Sequence, residues 1–351
     1  MGIDFTGGLS VEREYVFAKA PTEPGMRDAV NMWLWDDSGW IGIPRVGVEA
    51  IAPDWDSHTL QATVVLADGR VLRNSDPGEA HSPFGLDGKP TILGAGPMSF
   101  ACVEPFRRYV ARYDGPVNET SYDSLLHRRS PTGKVALAYE IECETVAPPW
   151  VQGSMSDDAA RMMSGTSEAN FMGGDRLEQM LRATGTVTID GVARPFSGGG
   201  LRVKRQGVRK VAGFWGHCWQ SALFPSGRAF GYIAYPPRPD GAASYNEGYV
   251  FLGDGKIVPA RVARAPFLTG MQFSGEDASL ELETRDGTIR IGATTMMSIP
   301  SLSTGAPQKM VDGINFPPLL QSIVRYEWDG EVGYGMMERS NLRENVSGIP
   351  E

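Results

Sequence analysis

The sequence has little of what metal, nucleotide and disulfide chemistry is built from. Its 351 residues include 3 cysteines and 4 histidines. Cys102, Cys143 and Cys218 are odd in number and share no motif spacing, which argues against a disulfide framework. His58, His81, His127 and His217 are scattered, none with a neighbour at ligand spacing, so no metal site is expected. No Gly-x-Gly-x-x-Gly opens a helix, no loop ends in Gly-Lys-Ser/Thr, and no Gly-x-Ser-x-Gly elbow occurs. Nucleotide binding and serine hydrolysis therefore lack their signatures, and no cofactor is implied.

Positive charge is also short. Against 42 acidic residues stand 33 Lys and Arg, a net charge of −9 that repels a phosphate backbone, so no nucleic-acid partner is expected. The densest basic stretch, Arg202-Val-Lys-Arg-Gln-Gly-Val-Arg-Lys210, is interleaved with Gly and Val and reads as a solvated loop or strand edge. No run approaches the ~20 apolar residues of a membrane helix, so no stable membrane insertion is expected. The start shows no charged segment followed by an apolar one, and with the unpaired cysteines this reads as a cytoplasmic protein. Met1-Gly2-Ile-Asp-Phe-Thr6 fits a myristoylation pattern formally and is taken as a chance match. Nothing in the sequence signals an oligomeric state.

What is present is turn chemistry and aromatic bulk. Asp-Gly occurs nine times, at Asp68, Asp87, Asp114, Asp190, Asp240, Asp254, Asp286, Asp312 and Asp329, and such pairs supply the positive φ of tight hairpins. Leu60–Leu66 with Arg70–Leu72, Gly248–Leu252 with Lys256–Val258, and Ala278–Thr284 with Thr288–Ile291 flank three of them as alternating apolar runs. Antiparallel sheet should dominate. Gly198-Gly199-Gly200 reads as a flexible turn among these strands.

The region from Asp157 to Arg182 breaks the pattern. Leu177, Met180 and Leu181 fall at i, i+3 and i+4, as on a short amphipathic helix, and Pro148-Pro149 and Gly185 bound it. The length suits two domains. The expected order is an N-terminal β-domain over 1–150, a partly helical connector over 151–184 and a C-terminal β-domain over 185–351. Arg112-Tyr-Asp-Gly115 and Arg325-Tyr-Glu-Trp-Asp-Gly330 hint at related halves.

The stretch richest in chemistry is Gly213-Phe-Trp-Gly-His-Cys-Trp-Gln220. As a strand it projects Trp215, His217 and Trp219 to one face, an imidazole between two indoles. Phe230-Gly-Tyr-Ile-Ala-Tyr235 adds two phenols, and the spacing of Tyr232 and Tyr235 sends them to opposite faces. Tyr245-Asn-Glu-Gly-Tyr249 adds Glu247 on the face of Tyr245 and Tyr249. Trp33 and Trp35 share a face of an N-terminal aromatic hairpin with Trp40, and a domain interface is where a pocket would lie. Fifteen methionines suit an adaptable apolar cavity.

Here the chain resembles the calycin-type superfamily of carotenoid hydratases, kievitone hydratase and decalin-forming Diels–Alderases. Gly216-His217-Cys218-Trp219 is similar to that group's Asp-His-x-Trp-like motif, and Gly333-Tyr-Gly-Met-Met-Glu338 to its closing strand. Leu177-Glu-Gln179, Gly185-Thr-Val and Asp190-Gly191 resemble the approach to the motif. The resemblance implies a mainly β protein of two packed, lipocalin-like antiparallel barrels or sandwiches. It implies a cofactor-independent hydratase or lyase acting on a hydrophobic, terpenoid-like or polycyclic small molecule. Gly216 departs from the acidic residue of the motif, leaving Glu247 or Glu338 to supply a carboxyl group.

Candidate catalytic residues are therefore His217, Glu247 and Tyr232. Trp219, Trp215, Tyr235, Tyr249, Trp33 and Glu338 are candidates for substrate binding. Ordinary core packing competes for each aromatic residue, and a solvent-facing loop for Glu247. An isomerase or pericyclase of the same fold, or a carrier without turnover, are the alternatives.

Overall fold

Alternation along single strands sets the architecture. In Gly133–Thr145, Val135, Leu137, Tyr139, Ile141 and Cys143 are buried while Glu140, Glu142 and Glu144 are exposed, the period of two expected of a sheet with one dry face. The computed structural model describes residues 2–164, 175–208, 214–238, 241–302 and 316–350. Arg209, Lys210, Asp240 and Asp312 of the patterns above lie outside the described residues.

The first part of the chain forms β1 (Met26–Asp36), β2 (Ile41–Ile51), β3 (Ser57–Leu66) and β4 (Arg70–Asn74). The short β5 (Gly78–Glu79), β6 (Ile92–Ala95) and β7 (Met98–Glu104) follow. Next come β8 (Arg108–Ser121), helix α1 (Tyr122–Leu126), β9 (Gly133–Thr145), β10 (Trp150–Val151), helix α2 (Asp157–Met163), β11 (Asp175–Ile189) and β12 (Val192–Val208). The order β11-β12-β1-β2-β3-β4-β8-β9 closes on itself because β9 pairs with both β8 and β11.

The second part forms β13 (Gly216–Leu223), β14 (Ala229–Ala234), β15 (Asn246–Phe251) and β16 (Ile257–Arg264). It continues with β17 (Leu280–Thr284), β18 (Gly287–Ser301), β19 (Leu319–Trp328) and β20 (Glu331–Asn341). These eight also close, β20 pairing back onto β13. The expected mainly β fold of two antiparallel barrels is the one found.

Asp-Gly chemistry does what it should at two hairpins. Asp190 and Gly191 (φ 47° and 78°) join β11 to β12, and Asp329 and Gly330 (φ 51° and 77°) join β19 to β20. Asp114-Gly115 runs on inside β8 instead, so the two halves do not use their Arg-Tyr motifs alike.

Three readings are corrected. α2 is a helix capped by Ser156, but Leu177, Met180 and Leu181 lie in β11, not in a helix. Residues 185–208, expected to open the second domain, complete β11 and form β12 of the first barrel. Gly198-Gly199-Gly200 is mid-strand in β12: a Cβ at Gly199 would meet the Trp35 ring at 2.7 Å.

Residues 202–205 of the basic stretch are not solvated either. Arg202 and Lys204 point into the first barrel and are buried, Arg202 on Glu14 and Lys204 on Asp28. The partners sit near the N-terminus, Glu14 in the Val11–Glu14 turn and Asp28 in β1.

Strands β13 and β14 lose alternation altogether; every residue in them is buried. Their inner faces fill the second barrel, through Cys218, Phe230 and Tyr232. Their outer faces, through Trp219 and Ile233, pack on Trp33, Leu201 and Val203 from the outer face of the first barrel. This seam between barrels holds the candidate site.

Candidate active site

Period two on β13 sends His217 and Trp219 outward into the seam, and the pairing with β20 sets Glu338 opposite Trp219 and Ser340 opposite His217. The His217 ring lies 4% exposed, with Nε2 3.1 Å from Glu338 Oε1 and Nδ1 2.7 Å from Ser340 Oγ. An ionised carboxylate only accepts, so Nε2 carries a proton in this arrangement.

Glu338 is held from three sides. Arg45 Nη1 donates to both its oxygens, at 3.2 and 3.0 Å, and Gln321 Nε2 donates to Oε2 at 2.7 Å. Burial alone would push this carboxyl up; Arg45, His217 and Gln321 outweigh it and hold Glu338 well below the usual carboxylate range.

Arg45 reaches Glu338 because β2 is irregular. The β2–β3 register breaks between Gly42 and Gly47, and Arg45 takes φ 49°, a strained backbone for a residue with a side chain. A bulge at this point turns the guanidinium to the mouth of the cleft, where it is 24% exposed.

The other wall is aromatic. Trp33 meets Trp219 edge to face, centroids 5.9 Å apart at 84°, and the Arg176 guanidinium lies 4.4 Å over the Trp219 ring. Trp219 Nε1 donates to Glu178 Oε2 at 3.2 Å, and Glu178 is ion-paired with Arg176. Burial pushes the Glu178 carboxyl up, against the pull of Arg176. Phe214, Ile233, Tyr235 and Val203 complete the apolar lining, and Asn31, Glu49, Gln152 and Arg205 add polar groups. The cavity is narrow, about 40 Å³, which is room for roughly three waters at ~10–15 Å³ each. It is more polar than the apolar enclosure expected from the sequence.

Of the predicted residues, the structure brings together His217, Trp219, Tyr235, Trp33 and Glu338. Tyr232 points into the second barrel, where its hydroxyl lies 3.2 Å from Cys218 Sγ, and it does not reach the cleft. Burial pushes both the phenol and the thiol up, the thiol to about 11. Trp215 precedes β13, donates from Nε1 to the Pro236 carbonyl and packs on Tyr235 outside the lining. Tyr249 is buried against Trp150.

Glu247 is no loop residue: it is 1% exposed, and its carboxylate accepts from Gly153 and Met155 backbone N–H groups at 2.7 Å and from the Tyr245 hydroxyl. It pins the turn that brings Gln152 to the cleft wall and stands apart from His217.

Gly216 explains its own departure from the motif. Its φ is +139°, and a Cβ there would lie 2.4 Å from the Ser340 carbonyl oxygen. No acidic side chain fits; Glu338 stands beside His217 instead. Arg45, Arg176, Glu178, Gln321 and Ser340 were not anticipated. Arg45 carried a signal, Pro44 inside an apolar run, since proline within a strand marks an edge or a bulge, and Glu178 lay in the Leu177-Glu-Gln179 stretch.

The Glu338 cluster makes stability pH-dependent in a defined direction. A carboxyl whose pKa falls on folding stabilises the fold fully above its unfolded pKa, ~4.3. That contribution fades as pH drops through the lower folded value. In urea unfolding from pH 7 to pH 3, wild type is expected to lose its advantage over Glu338→Gln as pH falls below ~4.3. A gap independent of pH would contradict the assignment.

The family described as Domain of unknown function (DUF7064) matches residues 12–343. Among curated proteins, no sequence matches the chain significantly. The crystal structure of an AttH-like protein from Nitrosomonas europaea superimposes with TM-score 0.56 at 15% identity, covering 93% of this chain and 98% of that one. CghA with Sch210972 gives 0.50 at 10% identity, covering 90% and 88%. At such identities the likeness shows the shared fold. Kievitone hydratase from Nectria haematococca is a weaker match, 0.48 at 10% identity over 93% of each chain.

Proposed function

The chain belongs to the family described as Domain of unknown function (DUF7064), and we propose that it is a hydratase or lyase that moves water on and off a hydrophobic small molecule in the seam between its barrels. The carrying observation is the buried His217–Glu338 pair at the wall of a narrow cavity faced by Trp33 and Trp219.

Adding water to an alkene needs a group that exchanges a proton, an ordered water and shelter from bulk solvent. His217 is the proton carrier. Its Nε2 contact with Glu338 is the longer of its two bonds, so a water enters there most readily. Such a water donates to both Nε2 and Glu338, with the Nδ1 proton turned onto Ser340 Oγ, and its oxygen lone pair faces the cavity. Arg45 and Gln321 keep Glu338 ionised and in place. In the reverse direction the imidazolium protonates a departing hydroxyl. The cavity takes the reacting end of the substrate, and the rest lies along the mouth beside Arg45.

Native mass spectrometry with mixed hydrophobic metabolites, followed by incubation in heavy-oxygen water, tests this. A captured ligand should yield a product that gains or loses one water, with the heavy label in the hydrated species. A product of unchanged mass but altered retention would replace the reading by an isomerase, and a ligand returned unaltered by a carrier.

A further inference from the structure

Two donors packed around Trp219 have no acceptor among the described residues. The fully buried Trp33 indole N–H and the Nε–H of Arg176, a residue 5% exposed, lack hydrogen-bond partners among the described residues. Both residues line the cavity. Both pack against Trp219, Trp33 in a T-shaped ring contact and Arg176 over its ring, two residues along β13 from His217. Buried donors are rarely left unsatisfied, and at a cavity wall they mark where a ligand's acceptor belongs.

We propose that these two groups receive a carbonyl oxygen of the substrate, so that the double bond undergoing hydration is conjugated to a carbonyl. This rests on the hydratase reading. Charge selects the class of acceptor: Arg176 is already neutralised by Glu178, and Arg45 by Glu338, so the donors fit a neutral carbonyl better than a carboxylate.

Chemistry supports the same class. An isolated alkene must be protonated before water adds, which asks for a far stronger acid than an imidazole. In a conjugated carbonyl, water attacks the distal alkene carbon directly. The new carbon–oxygen bond forms as one water proton passes to His217 Nε2, and the π pair moves onto the carbonyl oxygen. Trp33 Nε1–H and Arg176 Nε–H stabilise that enolate oxygen as an oxyanion hole does. The imidazolium then returns the proton to the carbon next to the carbonyl, restoring the C=O. One water is added and nothing else is consumed.

The test compares benzylideneacetone with β-methylstyrene, which has the same aryl alkene and no carbonyl, by displacement calorimetry. A purely apolar cleft prefers the hydrocarbon. The carbonyl compound is expected to bind about tenfold tighter or better to wild type. Trp33→Phe, which keeps an aromatic ring and deletes the N–H, should bring the two within about twofold. Equal binding by wild type, or a preference that survives Trp33→Phe in a folded variant, overturns the assignment. Turnover is followed separately by loss of the conjugated chromophore. A wild type that prefers benzylideneacetone but never hydrates it keeps the carbonyl site and removes the hydratase reading.

Discussion

Replacing His217 with alanine is expected to lower turnover by about 10²–10⁴-fold while altering ligand affinity by no more than a few-fold. The size follows from what is removed. His217 Nε2 is the titratable nitrogen at the cavity wall that pairs with a carboxylate held ionised, and no other predicted acid reaches it. The binding surface stays: Trp33, Trp219 and Ile233 come from three different strands and do not lean on the imidazole. Glu338 keeps Arg45 and Gln321, so the variant is not left with an unpaired buried charge. The check is kcat and Kd measured on the same substrate. Loss of affinity with no change in rate would identify a carrier, and a rate reduced only a few-fold would favour a pericyclase in which the cleft enforces conformation.

Gly216→Asp should lower stability by roughly 3–5 kcal/mol and restore no activity. The substitution rebuilds the motif of the resembled superfamily at the residue before the histidine, so a reading from motif alone predicts a gain. The backbone predicts the opposite. At φ +139° a Cβ meets the Ser340 carbonyl oxygen at 2.4 Å and Asn341 Cα at 3.0 Å, both main-chain atoms that cannot rotate away. Ser340 holds Nδ1 of His217, so any shift of β20 that relieves the clash also disturbs the imidazole. Urea unfolding measures the loss. A variant as stable as wild type would show that this backbone is not held as described.

The parts of the fold that were legible in the sequence are those where one face of a strand meets solvent. The β17–β18 hairpin across Asp286-Gly287 declares itself because alternation and turn chemistry are local. The second strand of the presumed connector did not, for a definable reason. β11 is buried on both sides, Leu181 within the first barrel and Met180 in the seam, so alternation vanishes and an accidental helical spacing remains. The charges of β12 were misread because their partners, Glu14 and Asp28, lie 188 and 176 residues away.

The candidate site was half legible. His217 and Trp219 stood out by type and spacing, but choosing between Glu247 and Glu338 needed the register. Both carboxylates are buried on the outer face of the second barrel; Glu338 pairs directly across from Trp219, whereas Glu247 pairs with Ile233, one strand further on. Arg45 depends on a bulge, and Arg176 on a strand read as helix. The polar half of the cleft is assembled by topology, and no local pattern announces it.

On this reading ligand binds in the seam against His217. Heteronuclear NMR of the protein labelled at the histidine ring nitrogens tests this placement, because the chain has 4 histidines and His58, His81 and His127 lie outside the cleft lining. On adding the ligand captured by native mass spectrometry, the His217 ring resonances should shift while the other three stay in place. A bound ligand that leaves His217 unmoved, or that moves only the other histidines, would contradict the claim and place the site elsewhere.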